Sequence, residues 1–320
     1  MIVKTMAGLC SLTVLLALTS AAYADDPKFE YGKAEELKDI KAVVWKAAAQ
    51  AGFIFTSGNS HTTTFSAGAN ASRKEGDNKL SLEATAAFGK SELRVVNDAN
   101  NDMLVAPDEI QVVNAETTNN YMLRARYDRF LTTHDSLFVT ARVGADKIAG
   151  KTLIAGGQIG YSRLLFKTVT QELASEVGYD FSHERYAAND VDPLSIHSAR
   201  LFVGYKGKLG VETSLGAALE WLTNLNAEKT APNDRNGDGN AANDLPGVDA
   251  FKDNRLTGKL ELTTKLRNNI SFQFSVTGKL DSAPAPLPNI KDTKGYAVGF
   301  QPIAEELDTI TEAQLIIDLL

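Results

Sequence analysis

The stretch "NRLTGKLELTTKLRNNISFQFSVTGKLD", residues 254–281, reads as two long strands joined by Arg267-Asn268-Asn269. One face carries Leu256, Gly258, Leu260, Leu262, Thr264 and Leu266, then Ile270, Phe272, Phe274, Val276, Gly278 and Leu280. The other carries Arg255, Thr257, Lys259, Glu261, Thr263 and Lys265, then Ser271, Gln273, Ser275, Thr277, Lys279 and Asp281. Period-two alternation of this kind makes a sheet with one apolar and one polar face. In a soluble sandwich the apolar face is the core. In a membrane barrel it faces lipid and the polar face lines the interior.

Similar runs recur along the chain. They cover roughly 45–55, 62–73, 79–94, 117–131, 136–146, 152–166, 171–183, 198–207, 211–223, 254–267, 269–281 and 309–319, with weaker alternation in the sixth and eighth. Most hold about ten to fourteen residues, whereas soluble strands average about five or six. A tilted strand needs about nine to eleven residues to cross a bilayer. The even-numbered connections are tight: "KEGDN", "TTHD", "KTVT", "GKLG" and "RNN". The odd ones are mostly long, at 95–116, 184–197, 224–253 and 282–308, with shorter ones near 57–59 and 147–150. Short turns at one end and long loops at the other mark a bacterial outer-membrane barrel. The expected fold is therefore all-β, a 12-stranded antiparallel transmembrane outer-membrane barrel over residues 45–320, with both termini on the periplasmic side.

The N-terminus fits export. Residues 1–24 combine Lys4, an apolar run through Leu18 and Ala22-Tyr23-Ala24, the pattern of a cleaved signal peptide. Residues 25–44, charged and without alternation, are expected as a periplasmic lead-in. The single cysteine, Cys10, lies within the signal and follows Leu9, where lipoprotein acylation needs a small residue. The barrel then has no disulfide and no thiol chemistry. A formal charge of −7 without a basic patch argues against nucleic acid as a partner.

The motifs "GFIFTSGNS" (52–60), "RYDRFL" (126–131), "ELASEVGYDFSHERY" (172–186), "VTGKLDSAPAP" (276–286) and "LDTITEAQLIIDLL" (307–320) occur in this order. In that order the chain, from Trp45 to Leu320, resembles the YdiY-like salt-induced outer-membrane proteins, domain of unknown function 481. The resemblance implies an outer-membrane barrel and little about activity. Its implied partners are outer-membrane lipid and the barrel assembly machinery, with small solutes if the barrel is a pore.

Two loops carry cation-binding candidates. In "NDRNGDGNAAND" (233–244), Asp234, Asn236, Asp238 and Asn240 place oxygen ligands at alternate positions, with Gly239 for the sharp turn. This matches the start of a calcium loop. The twelfth position is Leu245 rather than Glu, and Asp244 stands one place early. A weaker match, Asp98, Asn100, Asp102 and Glu109, has Met103 where glycine belongs. The plainer reading of both is a polar turn-rich loop.

The expected lumen is charged. Arg124, Arg126, Arg142, Lys259, Lys265 and Lys279 face Glu83, Glu172, Glu176, Asp180, Glu220 and Glu261, with Asp128, Asp146, Glu212 and Asp281 also inward. Such charges either line a pore, where the acidic excess favours cations, or seal an interior by ion pairing. Twelve strands lie between filled and open barrels. Ser57, Ser60, His61, Ser182 and His183 lack any nucleophile signature, so no enzyme is expected. Tyr121, Tyr127, Tyr161, Tyr179, Tyr205 and Trp221 fall on lipid-facing positions, as aromatic girdles do.

Overall fold

The computed structural model describes residues 43–56, 61–96, 110–187, 192–228, 247–284 and 306–319. Twelve strands follow in chain order: β1 (Val44–Thr56), β2 (His61–Glu75), β3 (Asn78–Val96), β4 (Ile110–Phe130), β5 (Asp135–Asp146), β6 (Lys151–Lys167), β7 (Gln171–Tyr186), β8 (Leu194–Lys208), β9 (Thr213–Asn224), β10 (Asn254–Arg267), β11 (Ile270–Asp281) and β12 (Leu307–Asp318). Each pairs antiparallel with its sequence neighbours, and β1 pairs with β12 to close the barrel. Closure leaves no sheet edge, the condition for carrying strands through hydrocarbon. No helix among the described residues is long and apolar enough to cross a membrane.

The expected segregation of connections holds. At one end the strands join through residues 76–77, 131–134, 168–170, 209–212 and 268–269. The β2–β3 turn uses Gly76 at φ 56°, a backbone conformation that glycine adopts without strain. At the other end lie the longer connections, including 97–109, 225–253 and 282–306.

The barrel is apolar outside and polar inside. Leu260 is 59% exposed, whereas Lys259 and Gln273, inward on the same hairpin, are 5% and 7% exposed. Leu256, Leu262, Phe272, Phe274, Val276 and Leu280 are likewise exposed, so the hairpin at 254–281 takes the lipid-facing reading. Tyr121, Tyr127, Tyr179 and Trp221 are exposed aromatics of the same outer surface, while Tyr161 and Tyr205 are half-buried.

Two strands begin well before the position that the sequence pattern indicates. β4 starts at Ile110 rather than 117 because its ladder with β3 continues past a bulge at Gly89/Lys90 as far as Val96↔Ile110. β8 starts at Leu194 rather than 198. There Leu194 and Ile196 point inward and are buried, whereas Ser195 is exposed, an inversion of the apolar-out pattern. The expected signal peptide, most of the expected lead-in and both calcium-loop candidates lie outside the described residues.

Candidate functional site

The candidate site is the lumen. Alternation on β4, β5, β7, β8 and β9 sends Arg126, Asp128, Phe138, Arg142, Glu176, Asp180, Arg200, Phe202 and Glu220 inward, where they form two ion-pair networks. In the first, Arg126 donates to Asp128 Oδ1 (2.7 Å) and Glu176 Oε1 (2.7 Å). Glu176 also accepts from Arg200 (2.7 Å), which in turn donates to Glu220. In the second, Arg142 donates to both oxygens of Asp180 (2.8 and 3.2 Å), and Gln158 adds a third bond to it (2.9 Å). Forked guanidinium–carboxylate pairing of this kind is the strong form of the hydrogen bond. The Arg126 guanidinium lies 4.3 Å from the Phe138 ring centroid, and Arg200 lies 5.4 Å from that of Phe202. Cation–π contact adds to the pairing.

These side chains fill their half of the barrel. Glu176, Asp180 and Asp128 are each 1% exposed, Phe202 is fully buried, and Leu164 and Ala174 pack against Phe202. The sequence left Arg126, Arg142, Glu176 and Asp180 either lining a pore or sealing the interior by ion pairing. The structure puts them inward and paired, beside apolar Phe138, Phe202, Ile154 and Ile196 that also point in, with Arg126 on the edge of a cavity.

Beside these networks, and bounded in part by them, lies a cavity of about 200 Å³. Arg124, Arg126, Lys259, Glu83, Glu220 and Glu261, all inward in the sequence pattern, line it, joined by Arg200, Lys206 and the amides Gln50, Asn70, Gln158 and Gln273. Gln273 donates to Glu261 (3.2 Å), and Lys259 lies 3.7 Å from Glu261. The charged lining is thus Arg124, Arg126, Arg200, Lys206 and Lys259 against Glu83, Glu220 and Glu261. The acidic excess expected along the lumen is therefore absent at the cavity.

Acidic groups gather instead at the long-loop mouth. Arg255 is surrounded by Asp253 (2.8 Å), Glu184 (3.4 Å), Glu228 (3.9 Å) and Asp281 (3.9 Å), and Lys151 pairs with Glu184 at 2.8 Å. Glu228 comes from the β9–β10 connection, held by a bridge to Val248. Burial, with Asp253 and Glu184 nearby, pushes the Glu228 carboxyl up to about 7 despite Arg255. Burial raises Asp253 as well. Lys279 is buried on β11 near this mouth.

At the short-turn end Glu172 pairs with Lys167 at 3.7 Å, and Lys265 is exposed. Glu212 sits exposed in the β8–β9 turn, not in the lumen, because β9 begins only at Thr213. Arg200, Glu184, Lys151 and Glu228 escaped the sequence reading. Extending the β7 alternation one period past Ser182 reaches Glu184, and carrying the phase of Ser198 forward reaches Arg200.

A family model described as "Protein of unknown function, DUF481" matches residues 49–234. No curated protein matches the chain. Among solved structures, the translocator domain of the autotransporter NalP from Neisseria meningitidis is similar at 14% identity and TM-score 0.38. That match covers 89% of this chain and 91% of that one. The outer membrane channel DcaP of Acinetobacter baumannii is similar at 9% identity and TM-score 0.35, over 87% and 97%. The Pseudomonas putida toluene transporter TodX is similar at 8% identity and TM-score 0.36, over 94% and 94%.

Proposed function

We propose, for a chain that belongs to the DUF481 family of proteins of unknown function, the role of a small outer-membrane channel for polar or charged solutes in a Gram-negative envelope. In this reading the short turns face the periplasm and the long loops face outward. The observation that carries it is the cavity lined by charged and amide side chains within a barrel whose outer face is apolar. A barrel serving only as an envelope strut has no need of such a space. Half of the lumen is filled and the mouth is crowded by the Arg255 cluster, so the expected conductance is small. The envelope role under salt stress that the family resemblance implies belongs to the same proposal.

Single-channel recording in planar bilayers tests it. Discrete small steps are expected, without strong cation preference because the cavity lining is not acidic. No conductance from a barrel whose heat-modifiable gel shift shows it intact would overturn the channel. The function would then move to the loops, where Asp234, Asn236, Asp238, Asn240 and Asp244 make calcium or another surface ligand the alternative. A calcium-dependent change in melting temperature or protease sensitivity would support that alternative.

A further inference from the structure

The two ends of the lumen differ in charge. At the short-turn end Lys74 and Lys79 flank the β2–β3 turn, Lys206 and Lys208 precede the β8–β9 turn, and Lys265 precedes the β10–β11 turn. Lys46 of β1 stands opposite Ser72 at the same end. Alternation turns all of them inward. Lys46 keeps the phase of Gln50, Lys74 that of Asn70, Lys79 that of Ser81, Lys208 that of Lys206 and Lys265 that of Glu261, and each of those reference residues lines the cavity. β2 and β8 are six strands apart in the ring of twelve, so two arcs of lysine face each other across the lumen.

Among the described residues, the carboxylates that share this rim are Asp128, Glu172 and Asp318. Asp128, opposite Lys79 in register, is held by Arg126 at 2.7 Å, and Glu172 pairs with Lys167 at 3.7 Å. Asp318 ends β12 and is exposed. The balance reverses at the long-loop mouth, where Asp146, Glu184, Glu228, Asp253 and Asp281 accompany Lys151, Arg255 and Lys279. Stability alone does not account for the lysine rim. Lys74 and Lys79 are each 5% exposed and stand directly opposite one another in the β2–β3 ladder. Like charges so placed oppose folding. Lys46, Lys206, Lys208 and Lys265 are exposed, and Lys206 joins the rim to the cavity because it belongs to both.

We infer that the short-turn mouth is an anion-collecting vestibule, which draws small solutes bearing carboxylate or phosphate groups towards the cavity. The inference rests on the channel reading for passage, but not for attraction. Charge of one sign around a low-dielectric opening focuses the field and concentrates ions of the other sign. The residue type sets the mode of recognition. A lysine ammonium is a compact, hydrated point charge without the rigid fork of a guanidinium. It attracts an anion without fixing its geometry, so carboxylate and phosphate solutes are collected alike. The forked arginines lie deeper and are committed to Asp128, Glu176 and Asp180. The rim therefore gathers and releases rather than stores.

Two measurements test this, one of them independent of conductance. In phosphatidylcholine vesicles, acetylation of lysines by a soluble reagent is followed peptide by peptide. Inorganic pyrophosphate or citrate should slow the labelling of Lys206, Lys208 and Lys265 more than chloride does at equal ionic strength. Lys252, exposed at the opposite mouth, should be unaffected. Equal labelling in pyrophosphate, citrate and chloride overturns the inference. So does the same protection by phosphatidylglycerol vesicles without added solute, which would assign these lysines to lipid head groups. In planar bilayers under a potassium chloride gradient, the reversal potential should take the sign of anion preference. The triple variant Lys206→Glu, Lys208→Glu, Lys265→Glu, with its heat-modifiable gel shift intact, should reverse that sign. Cation preference in the unmodified barrel, or an unchanged sign in the variant, overturns the inference. Absence of conductance alongside pyrophosphate protection would sink the channel reading and leave the vestibule standing.

Discussion

The lumen wall formed by β4–β8 and the wall formed by β10–β12 with β1–β3 follow one backbone plan but differ in what they enclose. On the first wall Phe138 and Phe202 alternate inward with Arg126, Arg142, Glu176, Asp180 and Arg200, which are packed and paired except where Arg126 and Arg200 border the cavity. On the second, inward positions carry Lys259, Glu261, Gln273, Gln50 and Asn70, and a cavity remains. Strand number sets the diameter of a barrel. The comparison shows that side-chain volume then decides how much of that diameter is open. It also shows why charge has opposite consequences on the two sides. A carboxylate surrounded by packing depends on its partner, whereas one beside a cavity has water as an alternative.

The largest expected effect tests that contrast. Glu176→Leu would leave Arg126 and Arg200 buried without their shared carboxylate, at a cost of about 3–5 kcal/mol. Glu261→Leu removes a carboxylate whose side chain is 26% exposed and whose lysine partner is 3.7 Å away, and should cost about 1 kcal/mol or less. Urea midpoints for the two variants in lipid vesicles compare them directly. Similar losses would erase the distinction between a filled and an open half.

A second pair of substitutions compares faces instead of walls. Leu260→Lys puts a charge on the lipid surface and should cost about 2–4 kcal/mol near the bilayer midplane. Thr263→Lys, on the cavity side of the same strand, should cost far less. The comparison sharpens with Phe202→Lys. That position also faces inward, but it is fully buried beside Arg200. Its loss should match or exceed that of Leu260→Lys if the filled half has no room for water. A tolerated lysine at Phe202 would mean that the packing there opens readily.

Much of this was legible in the sequence, and the exceptions follow a physical rule. The hairpin 254–281 could be read to within one residue at each boundary because its two faces differ sharply in polarity. The strand count and the separation of short from long connections followed from the same alternation. The reading weakened where Phe138, Ile154, Ile196 and Phe202 point inward. There both faces are apolar in part, so period two fades at the very residues that fill the lumen. A residue's side of the sheet is a local property, written in its phase. Which inward residues touch across the lumen depends on closure, and Glu184 meets Arg255 only because three intervening strand-to-strand steps curve the wall around. The short β1–β12 ladder, which runs only from Ala48↔Asp318 to Ala51↔Leu315, was hidden for the same reason, since those strands are the most distant in sequence.

The smallest expected effect lies at the mouth that caps both halves. Glu228 has one oxygen, Oε1, without a hydrogen-bond partner among the described residues. Its carboxyl is raised from 4.5 to about 7, chiefly by burial. Between those values the folded protein holds a proton that the unfolded chain has released. Stability should therefore fall as pH rises through this window and level off above it. The change should be on the order of 1 kcal/mol, within the roughly 1.4 kcal/mol per pKa unit that linkage allows. Asp253 shifts in the same direction, so Glu228→Gln should remove most of the fall and not all of it. Urea midpoints at pH 5 and pH 8 for both proteins measure it. Stability that rises with pH in the unmodified protein would mean that Arg255 outweighs burial and holds Glu228 ionised. The mouth would then be as fully paired as the filled wall.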